Sequence, residues 1–265
     1  MFLSVDVHHL DSAHLRARRR VTVLRPRVRH AVGPLPVLYL NDGQYRFDPA
    51  RAFAGVTWRV AETIERLVGE RRIPPLLVVG IDHGGPARAR EYLPVADARN
   101  PQRERPQGRA YAGFVADEVI PFVERTYPVL RRASARGFGG SSYGAVAALF
   151  TALERPGLFG RLLLESPSLY EGNGYLLRRA RRAPRWPLRI YLGVGTKETS
   201  RDEINRETVD NVRTLASILR NAGLGERRLQ VTIRDGASHS EAAWADRLPT
   251  ALEFLFAPRG SRGTP

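Results

Sequence analysis

Arg136-Gly137-Phe138-Gly139-Gly140-Ser141-Ser142-Tyr143-Gly144-Ala145-Val146-Ala147-Ala148-Leu149 reads as a short strand ending in glycines, then a serine, then an alanine-rich helix. Gly140-x-Ser142-x-Gly144 has the spacing of a nucleophile elbow, a strained strand-to-helix turn that holds a serine hydroxyl clear of the backbone. Glycine suits both flanks, because side chains at 140 and 144 would collide with each other or with neighbouring strands where the chain reverses so tightly. The serine then stands at a helix N-terminus, whose N–H groups and dipole favour the negative charge of a tetrahedral intermediate. The frame centred on Ser141 ends in Tyr143 instead of glycine, so Ser142 is the expected nucleophile.

Outward from this turn, apolar runs alternate with helical spacings. Residues 37–40, 76–81, 134–138, 161–165 and 189–195 read as buried strands, and 229–233 alternates like an edge strand. Residues 57–70, 111–127, 143–154, 174–183, 203–221 and 241–256 read as helices, with Pro121 marking a kink or break. Residues 2–10 and 19–25 alternate apolar and polar side chains and are expected to form early antiparallel strands. The polar passage 82–109 has no strong period, which in a compact domain points to a functional loop. Strands alternating with helices predict an α/β fold with a mainly parallel central sheet and helices on both faces. One domain is expected over residues 1–257, followed by a disordered tail at 258–265.

Composition narrows the classes of function. The 265 residues suffice for one large α/β domain that buries roughly three quarters of its unfolded surface. No apolar run approaches the ~18 residues of a membrane span, and the first residues show no basic-then-apolar leader. A cytoplasmic location with no membrane partner is therefore expected. The absence of cysteine excludes disulfides, thiolate metal sites and cysteine nucleophiles together. Net charge is +15, yet of the 42 basic residues only Lys197 is lysine. That skew fits a GC-rich coding source better than selection for phosphate contacts. The arginines are scattered, with their densest group at Arg178, Arg179, Arg181, Arg182 and Arg185. Specific nucleic-acid binding is not expected, whereas weak adhesion to polyanions is.

A serine hydroxyl needs a base within hydrogen-bond reach, itself held by a carboxylate. Of six histidines only His239 follows the last strand, in Asp235-Gly236-Ala237-Ser238-His239-Ser240-Glu241, and it is the expected base. The acid belongs on a loop after a strand lying between the two in sequence. Glu198, in Gly195-Thr196-Lys197-Glu198, is the first carboxylate there, with Asp202 and Glu203 as rivals. The order Ser142, Glu198, His239 is that of α/β-hydrolases. An oxyanion hole needs two converging N–H donors. The Tyr143 amide would be one, and Gln44 or Gly43, after the strand 37–40, the other. Asp42, Gly43 and Tyr170 are expected to border the substrate. No metal or organic cofactor is required.

Several stretches together resemble the esterase family of the α/β-hydrolases that includes esterase D, feruloyl esterase modules, enterochelin esterase catalytic domains and mycolyltransferases. They are Leu38-Tyr39-Leu40-Asn41-Asp42-Gly43-Gln44, Gly80-Ile81-Asp82 with Arg90-Glu91-Tyr92-Leu93-Pro94, the elbow, Glu165-Ser166-Pro167-Ser168, Gly195-Thr196-Lys197-Glu198 and His239-Ser240-Glu241-Ala242-Ala243-Trp244. The resemblance covers about residues 37–256 and implies the α/β-hydrolase fold, with Ser142, Glu198 and His239 as triad. Tyr143 departs from the family's more usual methionine, and Ala145 from its further glycine. The implied activity is hydrolysis of a small or medium carboxylic ester through an acyl-enzyme. An acyltransferase, a siderophore-ester hydrolase and a non-catalytic binding protein on the same scaffold are the alternatives. Family siderophore hydrolases often carry an extra N-terminal domain, for which the 36 residues before the first core strand leave no room. The sequence does not specify an oligomeric state.

Overall fold

Alternation along the strands decides how the layers assemble. In β3 (Val37–Asn41), Val37 and Tyr39 join one apolar cluster while Leu38 and Leu40 join another. β4 (Leu77–Ile81) divides the same way, Leu77, Val79 and Ile81 against Val78, and β6 (Arg161–Glu165) divides Leu162 and Leu164 against Leu163. A strand apolar on both sides must be covered on both sides, which requires a helical layer over each face of the sheet.

The computed structural model describes residues 2–27, 33–47, 50, 52, 55–96 and 105–258. Eight strands form one sheet in the order β1-β2-β4-β3-β5-β6-β7-β8. β1 (Phe2–Ser12) and β2 (Ala17–Arg27) make an antiparallel hairpin, and β2 runs antiparallel to β4. β4, β3, β5 (Arg136–Ser141), β6, β7 (Arg189–Lys197) and β8 (Leu229–Ser238) are mutually parallel. This is the α/β-hydrolase fold, and β8 is the edge strand its alternation predicts.

One face carries α1 (Val60–Gly69) and α8 (Glu241–Phe256), whose apolar residues share a cluster with Leu38, Leu40 and Leu163. The short helix α2 (Arg88–Tyr92) leads to the other face. There α3 (Gly108–Gly113), α4 (Ile120–Thr126), α5 (Tyr143–Glu154), α6 (Glu171–Ala180) and α7 (Asp202–Asn221) pack against Tyr39, Phe138 and Leu164. Gly144 to Leu153 of α5 are all buried, as a helix behind a central strand must be.

Two helices differ from expectation. Pro121 does not break the chain: a π-helical turn, Phe114–Val119, joins α3 to α4, and Pro121 falls in the first turn of α4. A missing N–H is tolerated in a first turn, and the wider turn takes up the mismatch before it. The helix expected over 174–183 starts earlier, at Glu171, through a left-handed turn at Gly172, Asn173 and Gly174. From residue 259 on, the expected tail lies outside the described residues.

The β5–α5 junction leaves no room at Gly140: a Cβ there would lie 2.9 Å from the Gly144 carbonyl carbon and 3.1 Å from Asn41 Cβ. Gly140→Ala is therefore expected to destabilise the protein by about 1–3 kcal/mol. Gly69, in the last turn of α1, has nothing within 4 Å of a built Cβ. Gly69→Ala should stabilise by roughly 0.5–1 kcal/mol. Urea midpoints of the two variants, moving in opposite directions from wild type, check the pair.

Candidate active site

Each of the six parallel strands delivers a polar residue to its carboxyl end, the edge at which open α/β sheets bind ligands. β3 leads into Asp42, β4 into Asp82, β5 into Ser142, β6 into Ser166, β7 into Glu198 and β8 into His239. A cavity of about 380 Å³ opens there, lined by Ser142, His239, Asp42, Tyr45, Val56, Arg88, Trp244 and the first residues of α8. A larger hollow of about 1310 Å³ lies at the other end of the sheet, beside Leu35, Arg161, Arg189 and Phe256, and holds none of the expected site residues.

Ser142 adopts φ 55° and ψ −124°, a left-handed backbone that a non-glycine residue takes only when its surroundings fix it. Its N–H donates to the Glu165 carbonyl at 2.9 Å, and its carbonyl accepts from the Ala145 and Val146 amides. Asn41 pins the elbow from β3, donating Nδ2 to the Gly144 carbonyl at 2.7 Å while its Oδ1 accepts from Tyr111. A Cβ on Gly144 would lie 2.7 Å from Asp42 Oδ2, so this glycine lets the β3 loop close on the elbow.

Glu198 meets the imidazole. His239 Nδ1 lies 2.5 Å from Glu198 Oε2, while Glu198 Oε1 accepts from the Gly195 N–H at 2.6 Å and the Ser166 hydroxyl at 2.8 Å. Burial works against the carboxylate, yet His239, the Gly195 amide and Ser166 together hold it below its usual value. The rival acids face solvent: Asp202 accepts from Lys197 Nζ at 3.1 Å and Glu203 from Arg201 Nε at 2.9 Å. The Ser142 hydroxyl lies 3.4 Å from that of Ser168. Ser142 and His239 line the same cavity, and no direct hydrogen bond joins them.

The loop after β3 is tied down by ion pairs. Asp42, in a left-handed conformation, receives Arg88 Nε at 2.7 Å and Nη2 at 2.9 Å, with Arg46 Nη2 at 3.5 Å. Burial pushes the Asp42 carboxyl up, but the two guanidiniums outweigh it and leave the group below its ordinary value. Arg46 is wholly buried over the Trp58 ring and donates to the Asn41 carbonyl and to Glu241. Gln44 spends its side-chain oxygen on the His83 amide at 3.1 Å. Gly43 presses against β4, where a Cβ would lie 2.6 Å from the Gly80 carbonyl carbon. Gly43 and Tyr170 fall outside the cavity lining, Tyr170 at the start of α6.

Roles that sequence reasoning did not assign include Ser166 and Trp244 around Glu198, Arg46 and Arg88 around Asp42, and the buried pair of Glu165 with Arg247 at 2.7–2.9 Å. Glu165 and Ser166 sit in the strand-end stretch Glu165-Ser166-Pro167-Ser168, and Trp244 lies five residues after His239. Their position beside the catalytic candidates was the available signal.

A family model described as Putative esterase matches residues 12–255. The uncharacterized protein YbbA of Bacillus subtilis (strain 168) is 25% identical over 250 residues, 92% of this chain and 95% of that protein. Iron(III) enterobactin esterase of Dickeya dadantii (strain 3937) is 25% identical over 213 residues, 74% of this chain but 44% of its own length. Among solved structures, the BES protein of Bacillus cereus superposes with a TM-score of 0.76 at 16% identity, over 96% of this chain and 95% of that one.

Because Glu198 has a folded pKa below its usual 4.5, it contributes stability above that value and loses it as pH falls through the lower one. The difference in urea midpoint between wild type and Glu198→Gln should accordingly be larger at pH 5 than at pH 3. A difference that stays constant over this range would contradict the ionised, hydrogen-bonded carboxylate.

Proposed function

This chain belongs to the Putative esterase family, and on that footing we propose that it is a serine carboxylic ester hydrolase working through an acyl-enzyme on Ser142. The observation that carries the proposal is the Glu198–His239 pair opening onto the same cavity as a serine held at positive φ. Nucleophile–base contacts are often long in a free site and tighten with substrate, so the missing direct bond between Ser142 and His239 does not count against it.

In this reading Ser142 Oγ attacks the ester carbonyl carbon as its proton passes to His239 Nε2. Glu198 Oε2 holds the opposite ring nitrogen and stabilises the imidazolium. The carbonyl oxygen becomes an oxyanion and takes hydrogen bonds from the Tyr143 and Gln44 amides, each of the kind worth about 3 kcal/mol in a transition state. Collapse breaks the C–O bond, and the leaving alkoxide takes the proton back from His239. Water then attacks the acyl-serine with His239 again as base, releasing the acid and restoring Ser142. A cavity of about 380 Å³ stands at the small end of ligand pockets, which suits a small or medium ester.

The similarity to an enterobactin esterase supports a second reading, in which the ester is that of a siderophore. Hydrolysis of a catecholate trilactone far faster than of p-nitrophenyl acetate would favour it.

Ser142→Ala is expected to lower p-nitrophenyl acetate turnover by at least about 10³-fold without shifting the urea midpoint by more than about 0.5 kcal/mol in stability. Fluorophosphonate should label Ser142 in wild type, and mass spectrometry should find no adduct in the variant. Full turnover in Ser142→Ala defeats the assignment, and an unlabelled wild type favours a binding protein on this scaffold.

A further inference from the structure

We propose that Trp244 is a positioning residue: acting through Ser166, its indole N–H fixes the Glu198 carboxylate in the orientation that leaves Oε2 for His239. The inference rests on the triad reading above and adds residues to which that reading gives no part.

The argument begins with which groups can donate. Trp244 Nε1 lies 2.9 Å from Ser166 Oγ, and Ser166 Oγ lies 2.8 Å from Glu198 Oε1. An indole nitrogen can only donate, an ionised carboxylate can only accept, and a serine hydroxyl has one proton to give. The direction of the chain is therefore forced: Trp244 donates to Ser166, and Ser166 donates to Glu198. A hydroxyl between two acceptors would be free to turn away, whereas this one has a single productive orientation.

The carboxylate is then held in a definite rotamer. Oε1 is claimed by Ser166 and by the Gly195 amide, and Oε2 faces His239 Nδ1 at 2.5 Å. The relay itself is rigid. Ser166 has φ 43°, with its N–H bonded to the Gly193 carbonyl at 2.7 Å, so its hydroxyl is aimed by the backbone. The indole is nearly buried. Its ring meets the His239 ring edge-on, with centroids 4.9 Å apart at 83°, and lies 6.0 Å from Trp58. One side chain thus sets the plane of the imidazole by contact and the angle of its carboxylate partner by hydrogen bonding.

A plain packing role for Trp244 in the cavity wall is met by any large ring, and Trp244→Phe separates the two roles because it keeps a ring and deletes the N–H. Losing a donor in a charge-assisted chain should lower kcat for p-nitrophenyl acetate about tenfold or more, with KM changed by less than about twofold. Ser166→Ala removes the same link from its other end and should lower kcat at least as much. The double variant Trp244→Phe/Ser166→Ala should be no slower than Ser166→Ala alone, since both substitutions cut one path. Proton NMR of the full chain adds a readout independent of turnover: the low-field resonance of the His239 Nδ1–H should shift or broaden in both single variants. An unchanged kcat in Trp244→Phe, losses that multiply in the double variant, or an unmoved resonance each overturn the proposal. If wild type hydrolyses no ester, the esterase reading fails by itself, and the resonance still decides the positioning role. Should Trp244→Phe not fold, Ser166→Ala carries the test, an unmoved resonance there overturning the proposal.

Discussion

Glu198 is a carboxylate taken out of water and kept ionised. Such a group is tolerated only where donors replace the hydration it loses, and here three strands contribute them. The Ser166 hydroxyl comes from the end of β6, the Gly195 amide from β7, and the His239 ring from the loop after β8. The requirement reaches back into the sheet. A Cβ on Gly195 would run into the Ala237 carbonyl, and one on Gly193 into the Glu165 carboxylate. Gly195 thus lets β8 and the Glu198 carboxylate close on β7, while Gly193 makes room for the neighbouring Glu165. The parallel register that sets Glu165 against Gly193 and Gly195 against Arg234 keeps that closure aligned.

Two further sets of paired charged groups flank this one. On one side Glu165 and Arg247 form a buried pair, and desolvation lifts the Glu165 carboxyl to about 7 in spite of the guanidinium. On the other, Asp42 pairs with Arg88 and Arg46, and the buried Arg46 pairs in turn with Glu241. Ser142 and His239 therefore sit between two sets of paired charges.

The strands were legible because burial on both faces demands unbroken apolar runs, and the elbow because its Gly-x-Ser-x-Gly spacing is itself local, although Asn41 and Asp42, against which its glycines pack, lie about a hundred residues away. Glu198 and His239 could be placed from chain order alone, each being the first suitable side chain after its strand. Other features depend on partners far away in sequence. Trp244 bonds to a hydroxyl 78 residues distant, and Arg46 to a carboxylate 195 residues distant. No local pattern distinguishes such an indole from any core tryptophan, or such an arginine from the 40 others. Pro121 marked the irregularity but not its form, since a proline signals a missing donor and not how the turn before it compensates. Gly43 reads in the sequence as part of a substrate loop, and the structure adds that its smallness serves the packing of that loop on β4.

The chain's one lysine stands directly before Glu198, with its ammonium largely in solvent beside Asp202. Among some forty guanidiniums that resist mild acylation, it is a solitary primary side-chain amine at the rim of the sheet edge where the cavity opens. A dye or crosslinker aimed at amines would, apart from the α-amino group, become tethered next to the candidate acid with no engineered attachment point. The arginine-rich composition thereby gives this fold a native optical handle on movements of the loop that carries its carboxylate.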